Sequence, residues 1–254
     1  MDEKQYILTI AGFDPSSGAG ITSDIKTFES FGLYGLSVCT AITVQNDIEF
    51  KSCTWVKETI ILEQIETLFE RFKIPIVKIG IIESWEVLLK VQQKLRKLKP
   101  EIVIVLDPIL KASAGYDFHT KKNYETFNKV LSLCDFITPN YDEIEALFPE
   151  KDIEETIESI AERTNIYLKG GHRKDKKGWD EIYHSKIVKL NIPLISEKVF
   201  DKHGSGCVLS AALAANFYNN LTIEDKGKNV KRYVEEYLNS DVSLLGKHNY
   251  GRIS

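Results

Sequence analysis

The sequence predicts an α/β domain in which a mostly parallel sheet is covered by helices on both faces. Short apolar runs of strand length alternate with longer segments in which apolar residues recur every three or four positions. Two of the short runs, 76–82 and 102–106, are largely apolar, which is typical of strands buried on both faces of a parallel sheet. No linker rich in Pro, Gly or Ser divides the 254 residues, so we expect a single domain over 1–254.

Predicted strands and helices follow one another along the chain. The first strand, 6–11, precedes a helix at 22–31, and the run 36–44 precedes an amphipathic helix at 58–72. The alternation continues through further strands at 76–82, 102–106, 136–138 and 166–169 and further helices at 85–98 and 123–133. This order indicates parallel strands joined by right-handed helical crossovers.

The pattern changes after Gly171. Polar and apolar residues alternate at 180–183 and 186–190, which predicts an antiparallel hairpin at the sheet edge. The last fifth of the chain is helical, with an alanine-rich segment at 207–218 and a second helix at 223–238. Because alanine is small, we expect the first of these helices to pack closely on the sheet.

Composition and charge exclude several classes of protein. The chain has 33 basic and 37 acidic residues and a net charge of -4, so it lacks the basic field of a nucleic-acid-binding protein. No apolar run approaches the roughly 20 residues that cross a bilayer, and no membrane association is expected. The four cysteines are scattered without a C-x-x-C pair, which argues against a zinc site or a disulfide framework and indicates a reducing, cytoplasmic location.

The turn after the first strand, 12–20, is rich in glycine. It is not a Walker A loop, because no Gly-Lys-Ser/Thr follows, and Ser23 stands where a dinucleotide-binding fingerprint carries its third glycine. Glycine alone does not distinguish a ligand loop from an ordinary turn. The polar residues nearby favour a ligand loop, since all of them are able to point into one cleft: Asp14, Ser16, Ser17 and Asp24.

A second glycine-containing segment, 202–207, runs directly into the alanine-rich helix. Gly204 and Gly206 would keep backbone N–H groups accessible at a helix N-terminus, where the helix dipole favours an anion. In phosphoryl transfer such a site holds the charge on the moving phosphoryl group. We expect the dipole to lower the pKa of the Cys207 thiol and make it available as a base. A cysteine that merely packs in the core is the alternative, and the motif alone does not separate the two.

Acidic and amide residues follow two of the predicted strands. Asp107 follows the strand at 102–106, and Asn140 and Glu143 follow the next strand. Ligands bind at the carboxyl ends of open parallel sheets, and hard carboxylate oxygens there suit Mg²⁺ shared with substrate phosphates. Alternatively, Asn140 or Asp142 caps the following helix, a role that we favour for Asp142, and Glu143 is merely favourable near the helix N-terminus.

Two further candidates lie at strand ends. Lys169 precedes Gly170 and Gly171, where a cation would balance polyphosphate charge and the glycines would admit a nucleotide. His172 in the same segment is read as an ordinary turn residue. Gln45 ends the run at 36–44, and its amide offers a paired donor and acceptor to the edge of a heterocycle, although such an amide is usually a turn residue.

Together these segments resemble the hydroxymethylpyrimidine/phosphomethylpyrimidine kinases of thiamine biosynthesis, a family of the ribokinase-like superfamily. The matching segments occur in the family's order at 9–21, 44–46, 77–80, 106–108, 137–140, 169–172 and 203–207. The resemblance implies a single-domain, three-layer ribokinase-like sandwich. It also implies ATP- and Mg²⁺-dependent phosphorylation of 4-amino-5-hydroxymethyl-2-methylpyrimidine, then of its monophosphate, by a homodimer.

The resemblance also implies a role for each matching residue. Gln45 would recognise the pyrimidine, with Gly12 and Asp24 beside it, and Cys207 would act as the base. Gly204, Ser205 and Gly206 would form an anion hole. Asp107 and Glu143 would form the metal site. Lys169, Asn140 and Gly171 would bind the nucleotide. The segment 111–118 would correspond to a loop that moves over the substrate.

The sequence departs from the family pattern at a few positions. Ser205 replaces the usual threonine, and Asp201-Lys202 stand where hydroxylated or amide residues are frequent. Phe13 and 81–82 differ from the usual residues in ways that would reshape the pyrimidine pocket. Two other functions stay open on the sequence: a pyridoxal or pyridoxine kinase, and a non-catalytic dinucleotide-binding module.

Overall fold

A nine-stranded sheet forms the centre of the described part of the chain. The computed structural model describes residues 4–110, 123–171, 173, 176–184, 188–196 and 198–249. The predicted loop at 111–118 and His172 lie outside the described residues.

The sheet is mostly parallel. Its strands are β1 (Tyr6–Phe13), β2 (Tyr34–Gln45), β3 (Phe50–Trp55), β4 (Ile76–Ile79), β5 (Val103–Leu106), β6 (Phe136–Ile137), β7 (Asn165–Leu168), β8 (Asp180–His184) and β9 (Val188–Ile192). They lie in the order β3-β2-β1-β4-β5-β6-β7-β8-β9. Pairing is parallel from β2 to β7 and antiparallel at both edges. The predicted antiparallel hairpin, β8–β9, is therefore confirmed at one edge of the sheet.

Helices cover both faces of this sheet. They are α1 (Gly20–Ser30), α2 (Glu58–Arg71), α3 (Trp85–Leu98), α4 (Tyr124–Leu133), α5 (Tyr141–Leu147), α6 (Ile153–Ala161), α7 (Ser205–Asn216) and α8 (Ile223–Leu238). Successive strand residues enter opposite cores, since side chains alternate across a strand. In β1, Leu8 and Ile10 join the core that contains α2 to α6, whereas Ile7 joins the core that contains α1, α7 and α8. The predicted three-layer arrangement is confirmed.

The alanine-rich helix α7 lies at the centre of one helical layer. Residues 207–216 are all buried, and the helix packs against α1 and α8 as well as β4 and β5. Small side chains permit this close approach, as the sequence predicts. The N-terminus of α7 is thereby held at the carboxyl ends of the central strands.

Two elements carry no clear signal in the sequence. β3 has no buried residue along its length, so it lacks the apolar pattern of a central strand. α6 was not predicted, although Asp152 and Glu155 form a capping box at its start.

β4 ends at Ile79, three residues before the predicted end at 82, and the chain turns there towards the site described below. Among the helices of the described residues, none has the length and apolar character needed to cross a bilayer.

Candidate active site

A cavity of about 1220 Å³ opens at the carboxyl ends of the parallel strands. Residues from separate segments of the chain meet there because the parallel strands all point to this edge. Eleven of the twelve residues to which the resemblance assigns a role line the cavity: Gly12, Gln45, Asp107, Asn140, Glu143, Lys169, Gly171, Gly204, Ser205, Gly206 and Cys207. The topology thus brings together nearly all of the predicted site.

Asp24 is the exception, and its predicted position beside the substrate is wrong. Its side chain has no exposed surface, and its carboxylate accepts hydrogen bonds from Lys78 Nζ at 3.0 and 2.8 Å and from Thr9 Oγ1 at 2.5 Å. A buried carboxylate needs such partners, and here they occupy the oxygens that a ligand would have contacted. Lys78 lines the cavity instead. The sequence signal for Lys78 was a lysine inside an apolar strand, which requires a buried partner.

Lys78 is a buried cation. Burial alone would lower the pKa of Lys78, but the neighbouring carboxylates of Asp24 and Asp107 outweigh that effect and raise the pKa. The ammonium group is therefore charged at neutral pH. It places a positive charge in the wall of the cavity.

The glycine-rich turn is organised by Asp14. Its carboxylate accepts hydrogen bonds from the Ser16 and Ala19 amides at 2.8 and 2.9 Å and lies 2.9 Å from His203 Nε2. The expectation that Ser16 and Ser17 point into the cleft is wrong, because neither lines the cavity. The Ser16 hydroxyl donates to Asp14 instead, at 2.8 Å.

The two glycine-containing segments pack directly on each other. Gly204 has a φ of 75°, and a Cβ there would lie 2.1 Å from the Gly18 carbonyl oxygen. Gly20 has a φ of 60°, and a Cβ there would lie 2.2 Å from the Gly12 oxygen. Only glycine tolerates both the backbone conformation and the contact. These glycines therefore bring the turn at 12–20 and the start of α7 together around the cavity.

The N-terminus of α7 has the geometry of an anion site. Gly204 is its N-cap, and within the described residues no side chain caps the first turn. The first helical hydrogen bond runs from the Val208 amide to the Gly204 oxygen at 3.1 Å, so the preceding amides need an outside partner. A Cβ at Gly206 would lie 3.3 Å from Lys169 Nζ, which places a cation beside this helix end.

Cys207 lies in this first turn, but its pKa is not lowered. Burial raises the pKa of the Cys207 thiol to about 11; the charge of Lys78 opposes the rise, and Asp107 and Asp24 add to it. The expectation of a lowered pKa is wrong for this structure, because desolvation outweighs the charge of Lys78 and the Gly20 amide that bonds the sulfur. The thiol needs additional positive charge nearby to ionise near neutral pH.

Lys169 joins the two acids at the centre of the cavity. Its Nζ lies 2.9 Å from Asp107 Oδ1 and 3.5 Å from Glu143 Oε2. Burial alone would lower the pKa of Lys169, but these two acids raise it, so the lysine is charged. Asp107 also accepts a hydrogen bond from Ser210 Oγ at 3.1 Å. The acids are thus held in place by a buried ammonium group.

Asn140, not Asp142, caps helix α5. Its Oδ1 accepts the Glu143 amide at 2.8 Å, and Glu143 Oε2 accepts the Asn140 amide at 2.7 Å, which forms a reciprocal capping box. The preferred capping role of Asp142 is therefore wrong. Burial raises the pKa of Glu143, and the charge of Lys169 opposes that rise.

Two carboxylates beside the cavity fit Mg²⁺ in its usual setting. Within the described ranges, no group of three or more His, Cys, Asp and Glu side chains forms a metal site. Mg²⁺ normally takes one or two carboxylates and completes its shell with water and phosphate oxygens. Asp107 and Glu143 supply that donor set, provided that Lys169 releases a carboxylate oxygen.

The opposite side of the cavity carries Gln45. Its Nε2 donates to Thr43 Oγ1 at 2.9 Å, and Thr43 Oγ1 donates to the Phe13 carbonyl oxygen at 2.8 Å. Phe13 and Ile81, two departures from the family pattern, line the cavity on this side together with Phe50. Ile82 instead belongs to the core.

A buried ionic network, missed in the sequence, borders the Lys169 side of the cavity. Lys231 donates to the Gly178 oxygen and lies 3.3 Å from both Asp180 Oδ2 and Glu235 Oε1. Glu235 accepts the Ile195 and Ser196 amides at 3.1 and 2.6 Å. In sequence, Lys231 and Glu235 resemble an ordinary surface pair one helical turn apart, and only the packing of α8 on the sheet reveals their burial.

Comparison with known proteins identifies the family. A family model described as phosphomethylpyrimidine kinase matches residues 14–252. The chain belongs to the phosphomethylpyrimidine kinase family. A protein named hydroxymethylpyrimidine/phosphomethylpyrimidine kinase from Aquifex aeolicus (strain VF5) is 32% identical over 247 residues, which cover 93% of this chain and 95% of the relative. The protein of the same name from Escherichia coli (strain K12) is 30% identical over 256 residues, with coverage of 97% and 95%.

Solved structures agree with this family assignment. The phosphomethylpyrimidine kinase of Clostridium difficile 630 matches with a TM-score of 0.76 and 32% identity, covering 92% of this chain and 99% of that one. Pyridoxal kinase from Staphylococcus aureus, solved with pyridoxal, has a TM-score of 0.80 at 23% identity, with coverage of 94% and 89%, a likeness of fold alone. The resemblance read from the sequence and the ribokinase-like fold are both confirmed. In this member of the phosphomethylpyrimidine kinase family, the matched segments meet at the cavity.

Proposed function

We propose that the protein transfers the γ-phosphoryl group of ATP to the hydroxymethyl group of 4-amino-5-hydroxymethyl-2-methylpyrimidine, and then phosphorylates the monophosphate, in thiamine biosynthesis. One observation carries the proposal. A single cavity has a heterocycle-reading amide, Gln45, on one side and a cation with a helix N-terminus, Lys169 and α7, on the other. Family membership supplies the substrate class.

The substrates take opposite sides of this cavity. The pyrimidine lies against Gln45 between apolar walls that include Phe13 and Ile81, with Gly12 beneath it. The triphosphate of ATP extends towards Lys169, with the Gly171 and Asn140 side of the cavity contacting the nucleotide. The amides of Ser205, Gly206 and Cys207, aided by the helix dipole, receive the transferred phosphoryl group.

Metal binding is assigned to the two acids. Asp107 and Glu143 would hold Mg²⁺, with water and phosphate oxygens completing its usual shell. The ion supplies charge neutralisation to the phosphates. Lys169, released from the acids, contributes its charge to the same phosphates.

Cys207 accepts the substrate proton in this proposal. The hydroxyl oxygen forms a bond to the γ-phosphorus, its proton passes to Cys207 Sγ, and the bond from that phosphorus to the oxygen of ADP breaks. Lys78 favours the thiolate, whereas burial opposes it. The first-turn amides of α7 stabilise the charge on the transferred group.

A second copy of the chain is assigned to the β2–β3 edge. Ile42 and Val44 of β2 are 54% and 52% exposed, on the face of the strand opposite Thr43 and Gln45. Ile48, in the connection to β3, is 75% exposed. An exposed apolar patch of this kind is typical of an interface. We assign the homodimer to the cytoplasm, where the four free cysteines stay reduced.

The experiment is a steady-state measurement of ADP release with three acceptors: the aminopyrimidine alcohol, its monophosphate and pyridoxine. We expect kcat/KM to be highest for the two pyrimidines and low for pyridoxine. A preference for pyridoxine would identify the protein as a vitamin B6 kinase instead. No acceptor-dependent ADP release would reject kinase activity on this class of substrate.

A further inference from the structure

The carboxamide of Gln45 is held by a chain of two hydrogen bonds. Gln45 Nε2 donates to Thr43 Oγ1 at 2.9 Å, and Thr43 Oγ1 donates to the Phe13 carbonyl oxygen at 2.8 Å. Thr43 is only 4% exposed, and its hydroxyl group links β2 to the end of β1. Thr43 and Gln45 are two residues apart on the cavity face of β2, so both line the cavity.

The number of protons available in these two hydrogen bonds fixes the orientation of the Gln45 amide. The Phe13 carbonyl can only accept, so the single hydroxyl proton of Thr43 must point to it. Thr43 Oγ1 is then an acceptor towards Gln45, and only the NH₂ group of Gln45 can donate to it. If the amide flipped, its carbonyl oxygen would face the hydroxyl oxygen with no proton between them. The assignment of Gln45 Nε2 to the Thr43 side therefore follows from chemistry.

The fixed amide presents one defined edge to the cavity. One N–H of Gln45 is used by Thr43, which leaves Oε1 as an acceptor and the second N–H as a donor for a ligand. Within the described part of the chain, Gln45 has no further side-chain partner. This edge complements a heterocycle that carries an amino donor next to a ring-nitrogen acceptor. It opposes a heterocycle with an oxo acceptor next to a ring N–H.

We propose that Thr43 is a specificity-determining positioning residue, which fixes the Gln45 amide and so selects aminopyrimidines over their oxo analogues. This inference rests on the proposed function, since it concerns the same substrate side of the cavity. Thr43 acts through Gln45 and does not touch the reacting atoms. Without the hydroxyl group the amide is free to rotate, and either of its edges faces the ligand.

The test compares Thr43→Val, which removes the hydroxyl group at nearly constant shape, with Thr43→Ser, which retains it. Two acceptors are used: 4-amino-5-hydroxymethyl-2-methylpyrimidine and the analogue with a 4-oxo group in place of the amine. For Thr43→Val we expect KM for the aminopyrimidine to rise by about tenfold, the equivalent of one hydrogen bond, with a much smaller change in kcat. The ratio of kcat/KM between the two acceptors should fall by a similar factor.

The controls separate orientation from general damage. Thr43→Ser should keep the wild-type preference for the aminopyrimidine, and KM for ATP should be unchanged in both variants. Circular dichroism and the thermal midpoint Tm report folding, and Thr43→Ala replaces Thr43→Val in the same comparison if the valine variant does not fold.

The outcomes distinguish this inference from the proposed function. A wild-type enzyme that phosphorylates the aminopyrimidine, together with a hydroxyl-free variant that keeps the wild-type preference and KM, overturns the role of Thr43 alone. A wild-type protein that neither phosphorylates nor binds the aminopyrimidine, by calorimetry, overturns the proposed function and the inference with it. Loss of preference in Thr43→Val with retention in Thr43→Ser supports the inference.

Discussion

The thiol of Cys207 is controlled by competing charges within the cavity. Burial and the carboxylates of Asp107 and Asp24 favour its neutral form, and the ammonium group of Lys78 favours the thiolate. A base must lose its proton before it accepts one from the substrate. The raised pKa therefore predicts how activity depends on pH.

We expect kcat/KM of the wild-type enzyme to increase with pH through the range 7–9. The reason is the sign of the shift: below a thiol pKa of about 11, only a small fraction of Cys207 is thiolate, and that fraction grows as pH rises. Cys207→Asp supplies a carboxylate with a reference pKa of about 3.9, so its kcat/KM should be nearly flat over the same range. Equal pH profiles for the two enzymes would contradict the role of Cys207 as the base.

Residue chemistry could be predicted from the sequence wherever a backbone feature was enough. Gly204 and Gly206 before an alanine-rich helix indicated an anion site, and both glycines line the cavity. The state of Cys207 could not be predicted, because its pKa depends on Lys78 of β4, Asp107 just after β5 and Asp24 of α1. Asp24 was misplaced for the same reason, since its partner Lys78 is 54 residues away in sequence.

At the scale of elements, the buried network on α8 joins three segments on the side of the cavity that we propose for the nucleotide. Lys231 contacts the Gly178 oxygen and Asp180, Asp180 accepts the Gly170 amide at 2.7 Å, and Glu235 holds the amides of residues 195–196. Side chains of the one helix α8 therefore hold the loops that carry Gly171 and Ser196. This network should matter to ATP more than to the pyrimidine.

Removing the central cation tests that expectation. Lys231→Met leaves the buried carboxylates of Asp180 and Glu235 without their counter-ion, which should lower the free energy of unfolding by about 3–5 kcal/mol. Where the variant stays folded, we expect KM for ATP to rise several-fold and KM for the pyrimidine to stay nearly constant. The assays are urea denaturation and two-substrate kinetics.

The same helix offers a matched control. Lys228 pairs with Glu224 at the surface, where both side chains are 51% exposed. Lys228→Met should therefore change stability by less than about 1 kcal/mol and leave both KM values unchanged. An equal effect of the two substitutions would show that the position of Lys231 in the network is unimportant.

For the whole molecule, the alternation of apolar strands and amphipathic helices was sufficient to predict a three-layer α/β fold. The central strands of this sheet are buried on both faces, so their sequences carry a strong apolar signal. The edge strand β3 was missed because it has no buried residue. The convergence of distant motifs at one cavity follows from the parallel topology, so a correct fold class was enough to bring most of the candidate residues together.

The exposed apolar patch of Ile42, Val44 and Ile48 predicts how the molecule assembles. Ile42→Glu places a charge at the centre of the assigned dimer interface and should shift the mass measured by light scattering from dimer to monomer. Leu221→Glu, at a 40% exposed position between α7 and α8, is the matched control and should leave the mass unchanged. A wild-type monomer, or a dimer that tolerates Ile42→Glu, would contradict the assignment of this patch.

The central claim is that this cavity transfers a phosphoryl group from ATP to the hydroxymethyl group of an aminopyrimidine. The most direct measurement is ³¹P NMR of a reaction containing the protein, MgATP and 4-amino-5-hydroxymethyl-2-methylpyrimidine. We predict ADP together with a phosphomonoester and then a diphosphate ester of the pyrimidine, with both products lost in Cys207→Ala although the alcohol still binds. ADP and inorganic phosphate as the only products, or pyrimidine esters formed equally well by Cys207→Ala, would contradict the account.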